Sequence, residues 1–326
     1  MGSCTSDGCV SPFFSIDGRL FPIGTAFAVG RGVCFVLSAY HCIRETFNHE
    51  PSLKKYANDE APKQEVNLEF VNLWILHQDS VGDETQLKLC PLEHVAGVLP
   101  TDVIFGSPQF TTDVPVYSMS ISFGFPAPSS LMWSVGYCNF KCPDGGISQE
   151  EIADSEFVWS EHYSHDFMVF ESSLVSVFTR KFANGFVDGP CFTHDSATPH
   201  GLSGGPVFCA NGCVIGINSA GAELFHSSPH SIASLIYPLF FTKTKFGTSM
   251  GILNLSTTRY VYELIAQGVI GTDGKERELA IFRKGNLISF GPGEDSYDRD
   301  DLFEDFGDLQ AATAARVLSG HIVAKP

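Results

Sequence analysis

The chain has 326 residues, enough for one large domain or two modest ones with a core that needs no covalent staples. With 44% hydrophobic and 12% aromatic residues it has an ordinary globular composition, which excludes a disordered or fibrous protein. A formal net charge of −17 argues against a nucleic-acid partner, because phosphate binding needs clustered Lys and Arg.

The start, MGSCTSDGCVSPFF, lacks the basic and apolar regions of a secretory signal, and no run reaches the roughly 18 apolar residues of a membrane span. A cytoplasmic location is expected, with the ten cysteines as thiols rather than bridges. Gly2 with Ser6 fits an acylation pattern and Cys4 could carry a palmitate. Asp7 and the absence of a basic patch favour instead a small, polar, flexible segment over residues 1–19.

From Phe21 onward the chain reads as short strands separated by turn residues. GTAFAVG (24–30) and VCFVLSA (33–39) flank Gly-Arg-Gly as a hairpin. Residues 43–64 are polar and predict a long loop or irregular helix. VNLEFVNLWIL (66–76), the turn HQDSVGDE and TQLKLCPLEHVAGV (85–98) predict a second hairpin. Strands follow at 114–126 and 133–140, then an acidic stretch (141–165) with a short helix near Gln149–Asp154. VFCANGCVIGINSA (207–220) is a hairpin around Asn211-Gly212. Many short strands and few helical periods imply a β-barrel or sandwich.

After residue 250 the character changes. YVYELIAQ (260–267) predicts a short helix, and ELAIFRKGNLISF (278–290) a hairpin. The acidic segment 291–308 invites a calcium-loop reading, but Leu302 falls where a third oxygen ligand after Asp298 and Asp300 should stand. The pairs Cys138/Cys142 and Cys209/Cys213 are spaced more widely than usual zinc pairs. No metal and no other cofactor is expected.

HGLSGGPVF (200–208) sets one serine among three glycines. A serine hydroxyl attacks only when a base takes its proton, a third group holds the base, and donors await the oxyanion. In VLSAYHCI, His41 falls directly after a strand, at the start of an expected turn, and supplies a base far upstream of Ser203. Asp79, Asp83 and Asp102 lie between them. Asp79 and Asp83 fall in an expected hairpin turn, whereas Asp102 opens an apolar run, so burial favours Asp102, with Asp83 the alternative. The main-chain amides of Gly201 and Ser203 are the candidate oxyanion donors.

GLSGGP together with SAYHC resembles the trypsin-like (chymotrypsin-fold) serine peptidases. Residues 193–220 are similar to HtrA-type and related bacterial trypsin-like peptidases, with no recognisable PDZ segment afterwards. The resemblance spans about residues 20–240. It implies an all-β double six-stranded barrel over 20–248, divided near 112, followed by a small α/β extension over 249–326. It implies a serine endopeptidase acting through an acyl-enzyme, with His41 as general base, Asp102 as its orienter and Ser203 as nucleophile. Ala197 and Thr198 would floor the specificity pocket, with a small or medium apolar side chain as its guest. Ser219, Ala220 and Gly221 would pair with the substrate backbone. Leu202 stands where zymogen-activated relatives carry an aspartate. Cys42 lacks its usual partner, since the position sixteen residues earlier is Ala26. A protein or peptide substrate is expected, with an activating protein as a possible partner. The competing reading is a silent or latent protease-fold module whose acidic tail engages a protein.

Overall fold

In a computed structural model, the described residues are 9–16, 18–29, 35–47, 66–67, 72–81, 84–98, 102–108, 119, 129–178, 191–210, 212, 214–220, 230–236 and, further on, six short strands between 243 and 292. In chain order the first half contributes β1 (Cys9–Ile16), β2 (Arg19–Pro22), β3 (Ala26–Val29), β4 (Phe35–Ser38), helix α1 (Tyr40–Phe47), β5 (Val66–Asn67), β6 (Leu73–Val81), β7 (Glu84–Val98) and β8 (Val103–Pro108). All pairings are antiparallel, and β1, β3, β4, β8, β7 and β6 close on themselves because β6 returns to β1.

The second half contributes β9 (Leu131–Lys141), β10 (Ile147–Ser148), α2 (Gln149–Ile152), α3 (Trp159–His162), β11 (Ser164–Phe178), β12 (Cys191–His194), β13 (Pro206–Cys209), β14 (Val214–Ala220) and β15 (Ser231–Leu235). Strands β11, β12, β15, β14, β13 and β9 form a closed barrel. The protein is therefore an all-β, chymotrypsin-type double barrel.

Apolar runs build both barrels. AFAV in β3, FVLS in β4 and VIGINSA in β14 are buried at every position, as strands covered on both faces must be. Phe35 meets Phe105 edge to face, with ring centroids 6.0 Å apart, inside the first barrel. Phe192 fills the second so closely that a Cβ on Gly216 would come within 2.5 Å of its ring. Each such buried phenylalanine contributes on the order of 2–3 kcal/mol.

Several expectations change. The first barrel begins at Cys9, not at residue 20: β1 pairs with β2, β3 and β6, so residues 9–16 are a barrel strand rather than a flexible lead. Strands β6 and β7 stay paired out to Val81 and Glu84, which puts Asp79 in register with Gln86 inside the ladder rather than in a turn. A helix replaces the turn expected at His41. Residues 164 and 165, the end of the expected acidic stretch, open a full barrel strand that runs to Phe178; between β9 and β11, residues 142–163 carry α2 with a capping box from Ser148 and Glu151.

Past the barrels, β16 (Lys243–Phe246) pairs with β17 (Thr257–Tyr260) across the boundary expected at residue 248. Strands β18 (Val269–Ile270) and β19 (Glu276–Arg277) pair, as do β20 (Leu279–Lys284) and β21 (Leu287–Pro292), the expected hairpin. The strand expected over 114–126, apart from Met119, the helix expected over 260–267, apart from Tyr260, which ends β17 instead, and the acidic residues 293–308 lie outside the described residues.

Candidate active site

His41 and Asp102 meet at the rim of the first barrel. Tyr40, the first residue of α1, follows β4 after Ala39, so His41 sits in the helix's first turn, where main-chain amides have no partner within the helix. Asp102, just before β8, supplies one. The His41 main-chain amide donates to Asp102 Oδ1 at 2.7 Å, and the amide of Tyr40 donates to the Asp102 carbonyl at 3.3 Å. The ring Nδ1 lies 2.6 Å from Asp102 Oδ2. A carboxylate can only accept there, so Nδ1 carries the proton and Nε2 is left as the basic nitrogen. Both side chains are buried, His41 at 7% exposure and Asp102 at 5%. Burial alone would lower the ring's pKa, but the Asp102 carboxylate, aided by Cys42, outweighs it and holds the value well above the ordinary one.

The opposite edge of the ring faces a thiol. Cys42 Sγ lies 3.7 Å from His41 Nε2. The residue packed against that sulfur is Gly24, where a Cβ would stand 3.1 Å from Sγ and 2.7 Å from the Ser203 carbonyl oxygen. The position facing Cys42 is thus Gly24 rather than Ala26, and Cys42 is a free thiol. Gly24 separates Cys42 from the Ser203 turn by the thickness of one backbone.

Ser203 occupies the tight turn between Pro199 and β13, half-buried in the second barrel. Gly201 and Gly204 take φ of 97° and 87°, a region that favours glycine. The amides of Leu202, Gly204 and Gly205 donate to the carbonyls of Pro199, Asn218 and Leu202. Among the described residues, the amides of Gly201 and Ser203 donate to no main-chain carbonyl. Leu202 is fully buried and anchors the turn from below.

Across the barrel interface this turn is gripped by Thr25. Its main-chain amide donates to the Ser203 carbonyl at 2.8 Å, and its hydroxyl donates to the Gly201 carbonyl at 2.9 Å. The hydroxyl oxygen accepts from the Tyr137 amide at 2.8 Å, and Ser38 Oγ donates to the Thr25 carbonyl at 2.7 Å. No sequence motif marks Thr25 beyond its place at the start of GTAFAVG.

The expected specificity residues spread along one side of the second barrel. Ala197 is exposed, and Thr198 is half-buried with its amide and hydroxyl both bonded to Ser231 Oγ, at 3.0 and 2.9 Å. Ser219 points inside, sharing a 2.9 Å contact with the Ser234 hydroxyl. Ala220 ends β14 in register with Ile232, and Gly221 and Asp83 lie outside the described residues. In the same barrel, His194 and Asn218 are buried with no hydrogen-bond partner on their side-chain nitrogens and oxygen among the described residues. Burial pushes His194 down to about 4, against the partial offset of Asp195, with His230 lowering it further. Among the described residues no three His, Cys, Asp or Glu side chains converge as a metal site requires, and no helix is long and apolar enough to cross a membrane.

No family model and no curated protein matches the chain. Solved structures do. The chain is similar to the MamO protease domain of Magnetospirillum magneticum at 12% identity, covering 72% of this chain and 94% of that one with a TM-score of 0.41. It is similar to the active form of the Rv3671c protease from M. tuberculosis at 15% identity, covering 73% and 79% with a TM-score of 0.42. The HtrA-type protease AlgW, solved with a decapeptide, matches at 12% identity over 72% of this chain and 62% of its own, with a TM-score of 0.42.

Proposed function

We propose that the protein is a serine endopeptidase that cleaves peptide bonds through an acyl-enzyme, with Ser203 as nucleophile, His41 as general base and Asp102 as orienter. The observation that carries this reading is the His41–Asp102 pair, whose Nδ1–H···Oδ2 contact of 2.6 Å leaves Nε2 to accept a proton. The amides of Gly201 and Ser203, which donate to no main-chain carbonyl among the described residues, support it as donors for a developing oxyanion.

In this mechanism Ser203 Oγ attacks the substrate carbonyl carbon while its proton passes to His41 Nε2. Asp102 stabilises the imidazolium formed. The negative charge on the carbonyl oxygen is met by the two amides. Collapse of the tetrahedral species returns the proton from Nε2 to the leaving amine, and water repeats the sequence on the ester. Thr198, Ser219, Ala220 and Gly221 would border the bound peptide.

The deciding experiment is labelling with a fluorophosphonate probe. Wild-type protein is expected to take the probe at Ser203, and Ser203→Ala to take none. Folded wild-type protein that stays unlabelled would remove the enzymatic reading and leave the protease-fold binding module.

A further inference from the structure

We infer that Thr25 is a positioning residue for the oxyanion turn: its hydroxyl and amide, reaching across from the first barrel, set the Ser203 amide and hydroxyl for reaction. The inference rests on the peptidase reading above and deepens it.

Thr25 grips two carbonyls in the turn. Its hydroxyl holds that of Gly201 at 2.9 Å and its amide holds that of Ser203 at 2.8 Å. The chain between those grips is Leu202 and the amide, Cα and hydroxyl of Ser203, the atoms that would attack and receive charge. Gly201 takes φ of 97° and lacks the restraint of a side chain. Rotation of its peptide would swing the carbonyl away from Thr25 and carry the neighbouring amides with it. A hydroxyl has one proton to give, and here it goes to Gly201, the nearer of the two carbonyls within reach, while the oxygen accepts from the Tyr137 amide. The Tyr137 carbonyl lies further off, at 3.3 Å.

Thr25 is itself immobilised. It is fully buried, and its own carbonyl accepts from Ser38 Oγ. Three glycines make room for it: a Cβ on Gly136 would fall 2.8 Å from its hydroxyl oxygen, one on Gly204 2.0 Å from its carbonyl oxygen, and one on Gly205 3.3 Å from its methyl. Phe140 closes the turn from the far side, where a Cβ on Gly201 would stand 2.7 Å from its ring. No aspartate follows Gly201 to fix the turn from within, since Leu202 stands there. The fixing comes from the other barrel.

The test compares Thr25→Val, which replaces the hydroxyl by a methyl of similar size, with Thr25→Ser, which keeps the hydroxyl. Turnover of a peptide substrate, probe labelling of Ser203 and near-UV circular dichroism are measured on the full chain. Thr25→Val is expected to lose roughly 10- to 100-fold in kcat with KM within about twofold, and Thr25→Ser to recover kcat to within about threefold of wild type. If Thr25→Val does not fold, Thr25→Ala removes the same hydroxyl without burying an extra methyl. A folded hydroxyl-less variant with wild-type kcat, or a Thr25→Ser variant as impaired as Thr25→Val, overturns the assignment while leaving the peptidase reading intact. Absence of labelling and turnover in the wild type overturns both.

Discussion

Asp102 holds His41 at two points, the ring through Oδ2 at 2.6 Å and the main chain through Oδ1 at 2.7 Å. One carboxylate therefore caps the start of α1 and selects the ring tautomer. Asp102→Asn can satisfy only one of these demands, because its amide nitrogen would turn Nδ1 into an acceptor and move the proton to Nε2. The expected result is a fall in kcat on the order of 10³–10⁴ with the fold retained. Asp79→Asn, on a strand ladder opposite Gln86, and Asp83→Asn should stay within about twofold of wild type. Steady-state kinetics on the three variants decides among the acids.

If His41 is the base proposed above, its raised pKa should set the acid limb of the activity profile. Burial disfavours the charged ring, and the Asp102 carboxylate with Cys42 overrides it. The base must be neutral to act, so kcat/KM should rise with pH through a value above the ordinary histidine range near 6.5. Cys42→Ala removes one of the raising contributions and should move that limb toward lower pH. A limb at or below the ordinary histidine value in the wild type would contradict the geometry. For stability the sign is opposite: a raised folded pKa stabilises below the unfolded value, and that contribution fades as pH rises through the folded one.

Gly204 has no space for a side chain. With φ of 87° and a Cβ position 2.0 Å from the Thr25 carbonyl oxygen and 2.2 Å from Ser38 Oγ, Gly204→Ala must displace Thr25 backbone and the Ser38 side chain of the first barrel, or shift the turn itself. A loss of roughly 3 kcal/mol or more is expected, visible as a lower denaturant midpoint. Gly212→Ala is the contrast: its φ of 74° carries the same conformational strain, but nothing lies within 4 Å of the added carbon. The cost there should be about 1–2 kcal/mol.

His194 gives the fold an acid sensitivity of its own. Burial lowers its pKa from the ordinary 6.5 to about 4, with Asp195 opposing and His230 assisting the shift. The unfolded chain then binds the proton first, so this contribution is complete above pH 6.5 and is lost as pH falls toward about 4. Its size is about 3 kcal/mol. Urea unfolding of His194→Leu between pH 7 and 4 should show a flatter pH dependence than wild type.

The candidate site is legible in the sequence because its pattern is local. GLSGGP and SAYHC each state their chemistry in six or fewer residues, and Asp102 stood out as an acid opening an apolar run. The barrel class was legible from strand spacing. What escaped depends on contacts far apart in the chain. Strand β1 reads poorly because Pro12 interrupts CVSPFFSI, yet its ends find different partners, Phe27 for Cys9 and Phe21 for Phe14. Counting back sixteen residues from Cys42 led to Ala26, whereas the hairpin geometry brings Gly24 against the sulfur. Thr25 was invisible for the same reason: its meaning lies in carbonyls 176 positions away at Gly201 and further on at Ser203. The 15-residue strand β11 hid behind acids because only part of it faces a core.

The two halves of the site belong to different barrels: His41 and Asp102 to the first, Ser203 to the second, with Thr25 bonded across the seam. On the peptidase reading, reactivity becomes a gauge of registry: a slip of about an ångström between two otherwise intact barrels would leave secondary structure and both cores unchanged, yet alter the approach of His41 and Ser203 on which proton transfer depends. On heating, inactivation should precede the loss of far-ultraviolet dichroism, and the interval between the two curves measures the stiffness of the seam.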